Sequence, residues 1–445
     1  MPRTLSTAIA ALVVAVCAAG VAWYRLGPLT RATVWAEDGG PFFRDRVAYG
    51  AGESLFHPYA GYLHLLPRLV VDVGFARPIE QYAVTVAATC CVVVGIVAGS
   101  VFVLARDLVP AWPLRLVLAA VPVLVPVVPY EISGNAANLH WFMLVLVPWL
   151  VSARVRTWWS SAVVALLAAA AVLTEPQTLL FLPLLAVAWW RPTTAERLRA
   201  LPVTIVVVAA GTLQVVTALT TYRPSHPGDP TVRDVVRGYL LQPVAGAWTR
   251  GVGSVADAVG RHGWVVLAVP VAVVAVLVVA ALVVGTWRAR IQVVALAGGS
   301  VAVWTAGLVA NVTANGGWGE RAVAEFVGAE PSRYGAASAV LLTSAVVLAA
   351  AVLADARTWS LRRPASRRGV VAGLAGGTAA WVAIAVVVAA AVTNVAPGVT
   401  QRSDGPAWAP QVQAGVTACR ADPSGSVEVR TAPWSTAVPC ALVLR

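Results

Sequence analysis

The chain has 445 residues, 59% of them hydrophobic and 12% charged, and its mean hydropathy of +0.78 excludes a soluble globular domain. What remains is an all-α polytopic membrane protein. The net charge of +12 rests on arginine alone, since Lys and Arg together number 32 and no lysine occurs. No aromatic-interleaved basic patch of the kind that grips phosphate backbones accompanies it, so no nucleic-acid partner is expected.

Apolar runs long enough to cross a hydrocarbon core of about 30 Å recur along nearly the whole chain. Eleven are legible, near 5–24, 80–104, 114–130, 139–153, 158–174, 177–190, 201–219, 263–286, 291–310, 335–354 and 370–393. The first is too long for a removed signal peptide and lacks a small-residue cleavage site, so it reads as a retained helix. The third to sixth are short and carry Pro122, Pro126, Pro129, Pro148 and Pro183, which leaves their ends open and allows one of them a re-entrant path. Arg106 and Arg115, Arg154 and Arg156, Arg191 with Arg197 and Arg199, Arg288 and Arg290, and Arg357, Arg362, Arg363, Arg367 and Arg368 fall in alternate loops. The positive-inside rule makes those loops cytoplasmic. That puts the N-terminus inside, the C-terminus outside and the protein in the cytoplasmic membrane. Of the 20 acidic residues only Asp107, Glu196 and Asp355 share the arginine-rich side, so the charge reports topology.

On this reading the bundle occupies 1–393, with outer segments at 25–79, 220–262 and 311–334, and a small outer tail follows at 394–445. The first outer loop carries WAEDGG, where Glu37 and Asp38 stand side by side. One acid would complement the dipole of a helix starting at Pro41; two adjacent acids repel, which suggests that one reacts while the other holds a hydrogen bond or an Arg. Asp38 is the favoured base, because Gly39 and Gly40 beside it leave room for a sugar. Phe42, Phe43, Val47 and Tyr49 form one side of the helix from Pro41, with Arg44, Asp45 and Arg46 on its wet side. A second helix is expected from Pro58, with Tyr59 at its start and Gly61, His64 and Arg68 on one face. Those residues either hold a phosphate at the membrane surface or belong to an interfacial helix anchored in the headgroups.

YEISGNAANLHW at 130–141 and TEPQ at 174–177 lie at outer ends of short spans. Ionisable groups at membrane depth cost several kcal/mol unless they face a cavity or a partner, so Glu131 and Glu175 read as functional or network residues. Asn135, Asn138 and His140 offer the mixed donors and acceptors a sugar needs, although tight capping of a helix hairpin explains the same residues. Val232, Val235, Val236, Tyr239 and Leu240 recur at helical spacing opposite Arg233, Asp234 and Arg237, a helix lying on the outer leaflet. Arg333 and Tyr334 open the next span as a phosphate clamp or an interfacial anchor. In the tail, Cys419 and Cys440 enclose two short strands and a Pro/Trp turn, and a disulfide between them is expected to close an extracytoplasmic flap.

One span, a long outer loop that begins with Glu37 and Asp38 and carries surface helices, and then about ten further spans: this arrangement resembles the GT-C class of membrane glycosyltransferases. Protein O-mannosyltransferases, aminoarabinose transferases and mycobacterial arabinosyltransferases belong to that class. The likeness covers the architecture of nearly the whole chain through a two-residue motif. The order Glu-Asp departs from the Asp-Glu or Asp-Asp of several branches, and no large carbohydrate-binding domain follows the bundle. The resemblance implies a GT-C-like bundle of about 11 transmembrane helices, a catalytic acid at the start of the first outer loop, and a polyprenyl-phosphate sugar donor.

Such a donor also suits the chemistry. Outside the cytoplasmic membrane there is no nucleotide-sugar pool. A phosphate leaving group needs no protonation, so one carboxylate base and a cationic clamp suffice for a single inverting displacement, whereas a glycosidase also needs a general acid. Glu37 or Asp38 is then the base, and Arg333, Arg68 and His64 are candidates for the phosphate. Tyr59, Tyr334, Glu131, Asn138, His140 and Glu175 complete the expected substrate-binding set. The acceptor is a glycan, lipid or protein of the cell envelope; no cofactor is fixed, and a divalent metal stays open. The alternatives are a transporter or flippase of a lipid-linked sugar, which favours internal repeats and charges along a membrane path, and a non-catalytic envelope-assembly protein, which would tolerate loss of both acids. P-loop, Rossmann, zinc-spacing and nucleophile-elbow signatures do not occur.

Overall fold

The computed structural model describes residues 3–190, 193–223, 226–314, 316–355 and 367–445; Arg191, Arg357, Arg362 and Arg363 lie outside them. Each of the eleven apolar runs is helical. They are α1 (Arg3–Ala32), α2 (Tyr82–Leu104), α3 (Trp112–Leu124), α4 (Leu139–Val151), α5 (Trp158–Val172), α6 (Pro176–Trp189), α7 (Thr194–Thr220), α8 (Val265–Val284), α9 (Trp287–Ala310), α10 (Arg333–Ala354) and α11 (Arg367–Thr393). Seven of them, α1, α2 and α7 to α11, are long and apolar enough to cross a membrane, whereas α3 to α6 have 10–17 residues. At 1.5 Å per residue a 13-residue helix reaches only about 20 Å, short of the hydrocarbon core. The causes are local: α3 stops before Pro126, and the first nine residues of α6 wind as a 3₁₀ helix around Pro183.

Small residues let the helices close on each other. Gly95 and Gly99 of α2 form a GxxxG pair against α1, where an added Cβ would lie 2.3 Å from Ala15 O and 2.8 Å from Ala11 O. At the centre, every residue of α10 from Gly335 to Leu353 is buried, as is all of α4. Ion pairs respect the expected sides of the bundle. Arg154–Glu196 and Arg156–Asp107 join arginine-rich loops to one another, and Arg333–Glu131 joins acid-rich ones. Among the described residues no ion pair connects the two ends.

The first outer loop differs from expectation in two places. The helix from Pro41 forms, running to Ser54, and buries Phe42 and Phe43, but Val47 and Tyr49 are exposed. No helix starts at Pro58, because Ala60 and Gly61 take positive φ and turn the chain; the helix runs from Leu65 to Phe75. His64 therefore precedes the helix that carries Arg68, and the two do not share a helical face. The outer segment forms a helix over Val232–Tyr239 with Val232 and Val236 exposed, but Asp234 is buried and accepts from Gly319 N at 2.6 Å.

The tail has a helix over Trp408–Ala421 and the antiparallel strands β1 (Ser426–Arg430) and β2 (Ser435–Pro439), with Val427 opposite Val438. The Cys419–Cys440 disulfide is present. The flap does not hang free: Trp408 Nε1 donates to Ile79 O at 2.7 Å, and Ala432 N donates to Val34 O at 2.9 Å beside Trp35. It is packed onto the first outer loop. A membrane-impermeant thiol reagent should therefore label Cys419 and Cys440 only after reduction and only from the outer face, while an Arg154→Cys variant should react only from the inner face. Labelling of both from one side would overturn the two-ended arrangement.

Candidate active site

At the acid-rich end, four outer segments and the ends of α7, α9 and α10 surround a cavity of about 240 Å³. WAEDGG enters it as a single helical turn, Ala36–Gly39. Successive side chains on a helix diverge by about 100°, so neighbours face different surroundings.

Asp38 faces inward. It is 1% exposed, and its Oδ2 and Oδ1 accept from the backbone of Ala136 at 2.7 Å and Ala137 at 2.8 Å. Burial pushes its carboxyl up to about 7, against the pull of those two amides and of Arg402. Arg402, itself buried, donates to Thr33 O, Gly134 O and Ser133 O at 3.2, 3.0 and 2.6 Å. Asp38 does not line the cavity. The glycines after it also serve another purpose than expected: a Cβ on Gly39 would lie 2.5 Å from Thr431 Cγ2, and one on Gly40 3.0 Å from the Trp434 ring. Their missing side chains admit the C-terminal flap, and the space beside Asp38 is filled.

Glu37 faces the cavity. Its Oε2 is shielded from solvent and has no hydrogen-bond partner among the described residues. Arg333 lies in the same cavity, its backbone N donating to Glu131 Oε2 at 2.9 Å and its Nη1 3.7 Å from Glu131 Oε1. Glu131 itself stands outside the lining; burial raises its carboxyl pKa, and Arg333 opposes the rise. Arg223, at the outer end of α7, is a second cation in the lining and donates to Asn311 Oδ1 at 3.2 Å. His140 and Glu175 pair through Nδ1 and Oε2, and Glu175 Oε1 accepts from Gln177 N at 2.8 Å. Aromatic rings wall the space, with Tyr62 stacked on His64 at 3.9 Å and Trp141 edge-on to Tyr334 at 5.4 Å.

Of the expected site residues, Glu37, Tyr59, His64, Asn138, His140, Glu175, Arg333 and Tyr334 come together here. Arg68 does not: it is buried in an ion pair with Asp45 at 2.8 Å, with its guanidinium over the Phe42 ring. His64 is present but ill suited as a phosphate cation, since burial, with His140 and Arg68 nearby, pushes its pKa well below the usual histidine value. The sequence reading missed Arg223, Tyr62 and Trp141. One signal would have found Arg223: like Arg333, it is an arginine at the outer end of a span, against the positive-inside trend. Among the described residues no three His, Cys, Asp or Glu side chains gather as a metal-binding group. No family model, curated protein or solved structure matches the chain.

The two acids should separate in stability measurements. Asp38→Asn turns an amide N–H₂ toward one of two buried backbone donors, so it should destabilise the folded protein by about 1–3 kcal/mol. Glu37→Gln should stay within about 0.5 kcal/mol of the parent. Thermal unfolding of both variants in detergent checks the pair, and equal losses would refute the division of roles.

Proposed function

We propose that the cavity is the reaction site of an inverting glycosyltransferase that takes a sugar from a polyprenyl-phosphate donor on the outer face of the cytoplasmic membrane. The observation that carries this reading is Glu37, a carboxylate with an unpartnered oxygen in the same cavity as Arg333 and Arg223. A carboxylate oxygen without a hydrogen-bond donor is open to the proton of an acceptor hydroxyl, and two guanidiniums in the same lining suit a phosphate that gains charge as it departs.

The step runs as one displacement. Glu37 takes the proton of an acceptor hydroxyl as its oxygen attacks the anomeric carbon. The bond from that carbon to the phosphate oxygen breaks, and the phosphate keeps the electron pair beside Arg333 and Arg223. His140, oriented by Glu175, and Asn138 are placed to bind sugar hydroxyls, and Trp141 and Tyr62 offer flat surfaces to a sugar ring. Asp38 holds the turn that presents Glu37 and takes no proton from substrate. The acceptor belongs to the cell envelope, and its class stays as broad as glycan, lipid or protein.

Radiolabelled polyprenyl-phosphate pentoses and hexoses, offered to membranes that contain the protein, provide the assay. Glu37→Gln should lower turnover by about 10² to 10⁴ while donor binding stays near the parent value. Arg333→Gln and Arg223→Gln should each lower kcat/KM by about tenfold or more, the range for a hydrogen bond to a charged group. Undiminished transfer by Glu37→Gln, or no transfer by the parent from any polyprenyl-phosphate sugar, would sink the reading.

A further inference from the structure

The arginine-rich end holds a second group of cavities. One of about 190 Å³ adjoins one of about 20 Å³, and both are lined by Arg154 and Arg288. Trp190 and Trp287 wall the larger; Trp149 and Gln292 lie in the smaller. Trp149 is 2% exposed, and its indole N–H meets no acceptor among the described residues. Gln292 is likewise buried. The Ser152 hydroxyl beside it gives its one hydrogen to Pro148 O at 2.6 Å, so Gln292 can satisfy only one of its two amide atoms there. A buried donor without an acceptor costs about 1–3 kcal/mol, which a bound acceptor group recovers.

The charges point the same way. Asp107 answers Arg156 at 2.6 Å and Arg106 at 3.9 Å, and Glu196 answers Arg154. Among the described residues Arg288 forms no ion pair, Asp107 and Glu196 acting on it only at longer range, and its Nη2 donates to Ser152 O at 2.8 Å, which holds the guanidinium in place. Glu196 and Asp107 share the linings but are engaged by Arg154 and Arg156, and the guanidinium and indole groups that remain only donate, so the fitting ligand brings several acceptors and negative charge. A third cavity, of about 350 Å³, also reaches Arg154 and runs along α1, α2 and α5 between Leu12, Ile96, Val163 and Leu167. It offers an apolar slot of the kind a hydrocarbon chain fills, directly beside the cationic one.

We propose that these adjoining cavities bind a phosphate group carried by an anionic phospholipid, with the phosphate between Arg154 and Arg288 and an acyl chain in the slot along α1, α2 and α5. The site is independent of the glycosyltransferase reading and lies at the other end of the bundle. Native mass spectrometry of the full chain in mild detergent tests it, with phosphatidylglycerol, phosphatidylcholine of the same chains, and inorganic phosphate as probes. Phosphatidylglycerol should be retained about tenfold better than phosphatidylcholine, and Arg288→Gln and Arg154→Gln should each cut its occupancy about tenfold. Trp149→Phe, which removes the indole N–H together with part of the ring, should weaken it severalfold, and Arg261→Gln at the opposite end should leave it unchanged. Arg154 is exposed, so its variant keeps the test open if Arg288→Gln does not fold. Equal retention of the two lipids, or phosphatidylglycerol binding that ignores Arg154 and Arg288, overturns the site. Displacement of the lipid by millimolar inorganic phosphate overturns the lipid source.

Discussion

Asp38 binds two consecutive backbone amides with one carboxylate, and the arrangement of the outer end follows from that clamp. It ties the first outer loop to the YEISGNAANLHW segment just before α4. Short and broken helices leave carbonyls without intrahelical partners, and at membrane depth no water can supply the missing bonds. Two buried arginines supply them. Arg25 reaches the carbonyls of Val123, Val125, Pro126 and Asn394, and Arg402 those of Thr33, Ser133 and Gly134. Together the three side chains replace the regular ends that a bundle of uniformly long helices would have.

The clamp also explains why two acids adjoin. Under the proposed glycosyl transfer the reacting base must keep an oxygen unengaged, whereas a residue that fixes the loop engages both oxygens of its carboxylate. No single residue meets both demands. In WAEDGG the helical turn sends Asp38 into the protein and Glu37 into the cavity, so the fixed residue positions the unengaged one across a single peptide bond. Repulsion between the two is offset on each side by an arginine, Arg402 near Asp38 and Arg333 near Glu37.

Hydrophobic period and loop arginines made the helices, their order and their sorting to two ends legible in the sequence, because these are properties of short windows. The tail disulfide was legible from two cysteines in a polar segment. What could not be read depends on partners far along the chain. Gly39 and Gly40 look like room for a ligand until Thr431 and Trp434 are seen to fill it. Arg68 looks like a phosphate cation until Asp45 is seen beside it. The Pro58 helix failed for a local reason, the positive φ of Ala60 and Gly61, which a Tyr-Ala-Gly-Tyr turn gives little warning of. Arg223 carries the same signal as Arg333, an arginine at the acid-rich end of a span, but only the fold shows that it lines the cavity.

The link from Arg402 to Thr33 spans 369 residues. A growing chain inserts from its N-terminal side, at about 5–20 residues per second. For roughly twenty seconds or more, then, Asp38 and the first loop exist without the cation and the flap that enclose them. The two amides that Asp38 binds, those of Ala136 and Ala137, are made far sooner, so the clamp precedes the cation and the flap that cover it. The enclosure of Asp38 is thereby later than the synthesis of the cavity lining, which ends at Tyr334. A chain stalled before the flap would hold Asp38 without Arg402, although every residue that lines the cavity, from Glu37 to Tyr334, would already have been made.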